Sequence, residues 1–93
     1  MLNVNEYFEG KVKSIAYQTE TLPASVGVMS VGDYVFNTAD KETMTVITGS
    51  LEITFNGETE SQTFGAGESF DVAANSSFDV KVKEETAYLC TYG

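Results

Sequence analysis

Gly32-Asp33-Tyr34-Val35-Phe36-Asn37-Thr38-Ala39-Asp40-Lys41-Glu42-Thr43-Met44-Thr45-Val46-Ile47-Thr48-Gly49 runs strand, polar corner, strand between two glycines. In its first half Tyr34, Phe36 and Thr38 fall on one side of a pleat and Asp33, Val35 and Asn37 on the other. Successive side chains of a strand point to opposite faces, so this is the pattern of a half-buried strand. The corner from Thr38 to Glu42 gathers a hydroxyl and two carboxylates. From Met44 to Thr48 the residues favour β structure again, and Gly49 suits a turn that needs positive φ.

Alternation of this kind continues in both directions. Ala24 to Ser30 sets Ala24, Val26 and Val28 against Ser25, Gly27 and Met29. Ser50 to Phe55 sets Leu51, Ile53 and Phe55 against Ser50, Glu52 and Thr54. Phe70 and Val72 point inward from Ser69 to Val72. Ser77 to Lys83 sets Phe78, Val80 and Val82 against Asp79, Lys81 and Lys83, and Thr86 to Tyr92 reads as a closing strand. Asn56-Gly57, directly after Phe55, predicts a tight hairpin with Glu58 to Phe64 as its polar, exposed return strand. Lys11 to Gln18 predicts the first strand, with a bulge because Val12 and Ile15 stand three apart. Residues 1–10 read as an arm pinned to the body by Tyr7 and Phe8. No segment carries apolar residues at helical spacing over the length of a helix. Short strands with turn residues between them predict an all-β sandwich or barrel.

Gly32, Thr38 and Asp40, followed by Glu42 and Gly49, resemble the first cupin motif, with Thr38 and Asp40 standing where cupins usually place two histidines. Gly67, Ala73, Asn75 and Phe78 resemble part of the second, Asn75 and Phe78 standing where a glycine and a third histidine are usual. The chain has no histidine, so the usual cupin metal centre cannot be assembled from it. Asn5-Glu6-Tyr7-Phe8, Gly10-Lys11-Val12-Lys13-Ser14-Ile15, Ala24-Ser25-Val26-Gly27-Val28-Met29, Met44-Thr45-Val46-Ile47 and Tyr88-Leu89-Cys90 together resemble the pyrimidine/purine nucleoside phosphorylase family of small metal-free cupins. This second resemblance covers nearly the whole chain. It implies one cupin-type jelly-roll β-barrel spanning residues 1–93, with no cofactor. It also implies pentosyl transfer to phosphate: purine and pyrimidine nucleosides phosphorolysed to free base and pentose 1-phosphate.

Composition bounds the partners. Ninety-three residues make one domain, and 42 % apolar residues with six Phe and five Tyr suffice for a small core. A core of that size gains from a second copy, so a homodimer is expected. Fourteen acidic residues against five lysines give a net charge of −9, with no arginine. Such a surface repels nucleic-acid backbones and anionic membranes, which excludes both as expected partners. It also leaves a phosphate-using enzyme with few cationic donors, although backbone N–H groups bind phosphate unaided. Cys90 is the single cysteine and reads as a small buried hydrophobe in the last strand. Residues 1–6 carry neither a basic segment nor an apolar core, so no secretory leader is expected, and the cytoplasm is the expected location.

Phosphorolysis must hold an anion on one face of the sugar, tolerate positive charge at C1′ and stabilise the departing base. The cupin resemblance puts Thr38, Asp40 and Glu42 at the mouth of the barrel. Glu42 and Asp40 are therefore the candidate catalytic groups, binding ribose hydroxyls or, when protonated, donating to the base. Lys11 and Lys13, two apart on one strand face, are the candidate phosphate pair. Ser25 and Met29, with Gly27 between them, form a small and adaptable face for the base, to which Thr38 adds a hydroxyl. Tyr34, Phe36 and Phe78 are candidates to stack on it, since every base offers a π-face. Each of these residues also has a plainer role: a solvated corner, an outward charged strand or ordinary core. Two other functions remain open at this level. One is a barrel that only binds a small molecule; the other is a sugar isomerase or epimerase with Glu42 or Tyr34 as acid or base.

Overall fold

The computed structural model describes residues 2–93; Met1, part of the expected N-terminal arm, lies outside the described residues. Ten strands and no helix make up these residues. In chain order they are β1 (Val4–Tyr7), β2 (Val12–Gln18), β3 (Pro23–Met29), β4 (Gly32–Asn37) and β5 (Glu42–Thr48). The second half supplies β6 (Ser50–Phe55), β7 (Gln62–Gly65), β8 (Ser69–Val72), β9 (Ser77–Val82) and β10 (Thr86–Tyr92). They form a six-stranded sheet in the order β1-β2-β3-β10-β5-β8 and a four-stranded sheet in the order β4-β9-β6-β7. Every pair is antiparallel. Consecutive strands β4 and β5 lie in different sheets, as do β9 and β10, so the chain repeatedly crosses from one layer to the other. This is the jelly-roll arrangement of a cupin.

The pleat alternation read from the sequence is the one observed. In β4 Tyr34 is buried and Phe36 half-buried, while Asp33, Val35 and Asn37 are exposed. From the other strands Met44 and Val46, Leu51 and Ile53, Phe70 and Val72, and Phe78, Val80 and Val82 turn inward to make one core. Phe78 is 2 % exposed and contributes about 1.5–3 kcal/mol by leaving water. An aromatic spine runs through this core. Phe8 meets Tyr34 at 4.9 Å between ring centroids, Phe36 stacks on Phe78 at 5.6 Å, and Phe64 lies 4.6 Å from Phe70.

Three local expectations are corrected. Lys11 to Gln18 does not hold the first strand, because Val4–Tyr7 within the arm is already a strand, paired with β2 from Val4↔Ile15 to Tyr7↔Val12. No bulge interrupts β2, whose register with β3 is unbroken from Val12↔Met29 to Gln18↔Pro23. Ser14 takes the inward position beside Val12, and Ile15 stays on the outer face. The register shift falls instead between Ala87 and Tyr88, where β10 meets β5. Finally, the return strand after Asn56-Gly57 begins only at Gln62, opposite Ile53. The type I′ turn that Asn-Gly favours needs positive φ at both central residues, and only Gly57 has it, at 84°. The turn closes with Glu58 N–H donating to the Phe55 carbonyl at 3.0 Å, inside a longer loop.

Candidate active site

A half-open cavity of about 360 Å³ lies between the two sheets. Its apolar walls come from Phe36 and Phe78 of the smaller sheet and from Met29 and Met44 of the larger one. Its polar groups are Ser14 of β2, Asn37 and Asp40 at the β4–β5 corner, Glu42 of β5, and Tyr88, Cys90 and Tyr92 of β10, with Tyr7 at the end of β1. Strand register explains the convergence. Glu42 pairs with Tyr92 and Met44 with Cys90, while Tyr88 stands opposite Gly27, itself opposite Ser14. Every second residue of β5 and β10 therefore enters the same space.

Glu42 is the charged group set deepest into this wall, half-buried at the first position of β5. Burial raises its carboxyl above the ordinary carboxylate value; a hydrogen bond from Cys90 opposes the rise, and the nearby Asp40 charge adds to it. The Cys90 thiol donates to Glu42 Oε1 at 3.4 Å. Burial, together with the Glu42 charge, pushes that thiol up to about 12. Burial likewise pushes the Tyr88 phenol up to about 12 and raises that of Tyr92. The Tyr92 hydroxyl lies against Cys90 and shares a 2.9 Å hydrogen bond with Ser25 Oγ. At neutral pH the cavity thus holds neutral hydroxyl and thiol donors around one carboxyl that takes up a proton more readily than usual.

The residues singled out from the sequence separate into two groups. Glu42, Asp40, Phe36, Phe78 and Met29 all line the cavity, Phe36 and Phe78 as a stacked pair with their rings 24° apart. Thr38, Tyr34, Ser25, Lys11 and Lys13 do not. Thr38 is buried as a clasp: its hydroxyl donates to the Ala73 carbonyl at 2.6 Å and accepts from Ser76 N–H at 2.9 Å. That clasp ties the corner to the loop where Asn75 adopts φ 53°. Tyr34 belongs to the aromatic spine, and its hydroxyl donates to the Ser30 carbonyl at 2.7 Å. Ser25 sits behind Tyr92 rather than at the surface of the cavity. Lys11 precedes β2 and Lys13 projects from its outer face, because Val12 and Ser14 occupy the inner one. Lys13 Nζ pairs with Glu6 Oε1 at 3.2 Å on the surface.

Tyr7, Ser14, Asn37, Tyr88, Cys90 and Tyr92 were missed as site residues. The alternation that makes Tyr88, Cys90 and Tyr92 one face is visible in the sequence, but which end of the barrel opens is not. Among the described residues lining the cavity Asp40 and Glu42 are the only charged ones. Among the described residues no set of three His, Cys, Asp or Glu side chains is placed to hold a metal ion.

Comparison with known proteins places the family and the fold. The family model described as pyrimidine/purine nucleoside phosphorylase matches residues 2–92. A protein of that name from Marinobacter nauticus is 60 % identical over 93 residues, covering all of both chains. A solved structure of a Vibrio parahaemolyticus protein of unknown function superposes with a TM-score of 0.96 at 46 % identity, covering 100 % of this chain and 99 % of that one. An RmlC-like cupin from Shewanella frigidimarina, 18 % identical, shares the fold with a TM-score of 0.76, covering 98 % of this chain and 82 % of that one.

Proposed function

The chain belongs to the pyrimidine/purine nucleoside phosphorylase family, and from that premise we propose that the cavity between its sheets is where phosphate cleaves a nucleoside. The observation that carries the reaction is the family match across residues 2–92. The cavity supports it independently, with a stacked aromatic pair, a half-buried carboxyl and a ring of neutral donors.

In this reading the base lies against Phe36 and Phe78, with Met29 as a yielding floor. A π-face and a thioether discriminate little between purines and pyrimidines, so activity extends to both. Protonated Glu42 donates to the base as the C1′–N bond breaks, and a phosphate oxygen forms the new bond to C1′. The proton of hydrogenphosphate then returns to Glu42, so the products are free base and pentose 1-phosphate, with nothing left over. Asp40, at the mouth, hydrogen-bonds the ribose hydroxyls. Ser14, Asn37 and Tyr88 supply the donors for phosphate, in place of the outward Lys11 and Lys13.

Two copies form the working unit. Val4, Ile15, Val26 and Leu89 stand in one cross-strand row on the outer face of the larger sheet, and Val28 extends it. Val26 is 40 % and Val28 49 % exposed, an apolar face that a second copy covers. The reaction belongs in the cytoplasm, where nucleosides and phosphate meet. Incubating the purified protein with a purine and pyrimidine nucleoside panel, with and without phosphate, tests the reading. Free base and pentose 1-phosphate appearing only with phosphate supports it. Nucleosides left intact in both arms refute it, and base released equally without phosphate makes the protein a hydrolase instead.

A further inference from the structure

Cys90 is buried, lines the cavity, and has no part in the chemistry just described. Its thiol donates to Glu42 Oε1 at 3.4 Å, and its other side is occupied by Tyr92, whose hydroxyl is held by Ser25 at 2.9 Å. Ser25 on β3 with Tyr92 on β10, and Cys90 on β10 with Glu42 on β5, therefore form two hydrogen-bonded pairs across three adjacent strands. We propose that Cys90 is a positioning residue for the reaction, fixing the Glu42 carboxyl through Oε1 so that Oε2 is left to face the substrate. The inference rests on the phosphorylase reading for its catalytic consequence, but not for the contact itself.

A glutamate side chain has three torsions, the last of them broad, and a proton donor works only within hydrogen-bond reach of its target. Backbone pairing fixes the start of β5, since Glu42 is bonded in register to both Tyr92 and Val72. The side chain needs a further tether, and Cys90 is in place to be one. Tyr92 and Ser25 in turn prevent the thiol from rotating away. A thiol is a weak donor, which suits the task. A strong donor stabilises the ionised carboxylate, whereas a weak one orients the group without forcing the proton off. The titratable groups facing Glu42 are Asp40 from the corner and Tyr88, Cys90 and Tyr92 from β10; β8 contributes only the apolar Val72 beside it.

Cys90→Ala and Cys90→Ser separate positioning from packing. The Glu42 carboxyl is titrated by ¹³C NMR in each variant, and kcat and KM are measured against pH with uridine and inorganic phosphate. Removing the donor in Cys90→Ala moves the Glu42 titration to higher pH and carries the basic limb of the kcat profile with it. The same variant lowers kcat about tenfold, part of the 10²–10⁴ that a positioned acid supplies, and leaves KM near wild type. Cys90→Ser, which restores a donor, recovers kcat relative to Cys90→Ala and returns the titration to lower pH, at or below that of wild type because a hydroxyl donates more strongly than a thiol. An unmoved titration in both variants overturns the proposal, as does an equal displacement in both, since either outcome makes Cys90 a filler of space. The two failures are distinguishable: uridine untouched by the wild-type protein refutes the phosphorylase reading, while the NMR titration still decides the role of Cys90.

Discussion

Tyr88 of β10 stands directly across from Gly27 of β3, and its phenol occupies the volume that a side chain at Gly27 would fill. A Cβ built on Gly27 would lie 2.7 Å from Tyr88 Oη and 2.6 Å from the Lys13 carbonyl oxygen. The carbonyl belongs to the β2 ladder, so relieving its contact moves backbone, whereas the ring can swing aside. Gly27→Ala is expected to cost about 1–3 kcal/mol, the range of an overpacked core, and to push Tyr88 into the cavity. Urea unfolding and nucleoside KM check this: the midpoint falls and KM rises. Wild-type values for both would show that the strands absorb the methyl group without moving the ring into the cavity.

The outward position of Lys13 makes a contrasting prediction. Its ammonium pairs with Glu6 where both side chains are more than half exposed, at 57 % and 59 %. Such pairs contribute about 0–1 kcal/mol, so Lys13→Ala is expected to leave stability almost unchanged. Since β2 turns Val12 and Ser14 inward and Lys13 outward, KM for phosphate should also stay at its wild-type value. A selective rise in KM for phosphate would show that Lys13 reaches the substrate.

Cys90 is expected to resist alkylation. Burial and the Glu42 charge push its thiol up to about 12, and only the thiolate attacks. At pH 8 roughly one molecule in 10⁴ carries it, against about a quarter of ordinary free cysteine. Iodoacetamide should therefore label the folded protein no faster than the chain unfolds. Labelling at the rate of a free thiol would mean that the cavity exposes the sulfur and that its contact with Glu42 is not kept.

Most of the fold was legible because period-2 alternation is a local signal and each strand carries it. Phe78, Val80 and Val82 against Asp79, Lys81 and Lys83 need no knowledge of the rest of the chain. The misreadings fall where the answer depended on a partner strand. Val12 and Ile15 suggested a bulge because an apolar residue was expected at each inward position, whereas Ser14 takes one, next to Tyr88 and Gly27. Lys11 and Lys13 share a face in any reading, but only pairing with β1 and β3 shows that this face is the outer one. The cupin motif brought Glu42 and Asp40 to the cavity, and Phe36 and Phe78 reached it through the alternation of their strands. It misplaced Thr38, whose hydroxyl is spent on the Ala73 and Ser76 backbone, a contact made across 35 and 38 positions of sequence. Cys90 was read correctly as buried, but burial alone did not disclose that Glu42 is its neighbour.

Glu42→Gln brings stability and activity into opposition. The folded protein holds the charged carboxylate less well than the unfolded chain does, because burial outweighs the Cys90 hydrogen bond. Wild-type stability from this group is therefore intact below the ordinary carboxylate value and is lost as pH rises through the raised one. Glutamine carries no charge at any pH. The variant should match wild type in Tm near pH 4 and exceed it at pH 8, with the gap opening as pH rises through the Glu42 titration. Activity runs the other way. An amide has no carboxylic proton to give, so kcat should fall about 10²-fold, the lower bound for a lost general acid, with the nucleoside KM little altered. Wild-type kcat should itself decline as pH rises through the Glu42 titration, since the acid form is the one that works. Calorimetry from pH 4 to 8 and a matched kcat profile check both limbs. A Tm difference that stays flat with pH would mean that Glu42 ionises as a solvated carboxylate, and an undiminished kcat would take it out of the proton transfer.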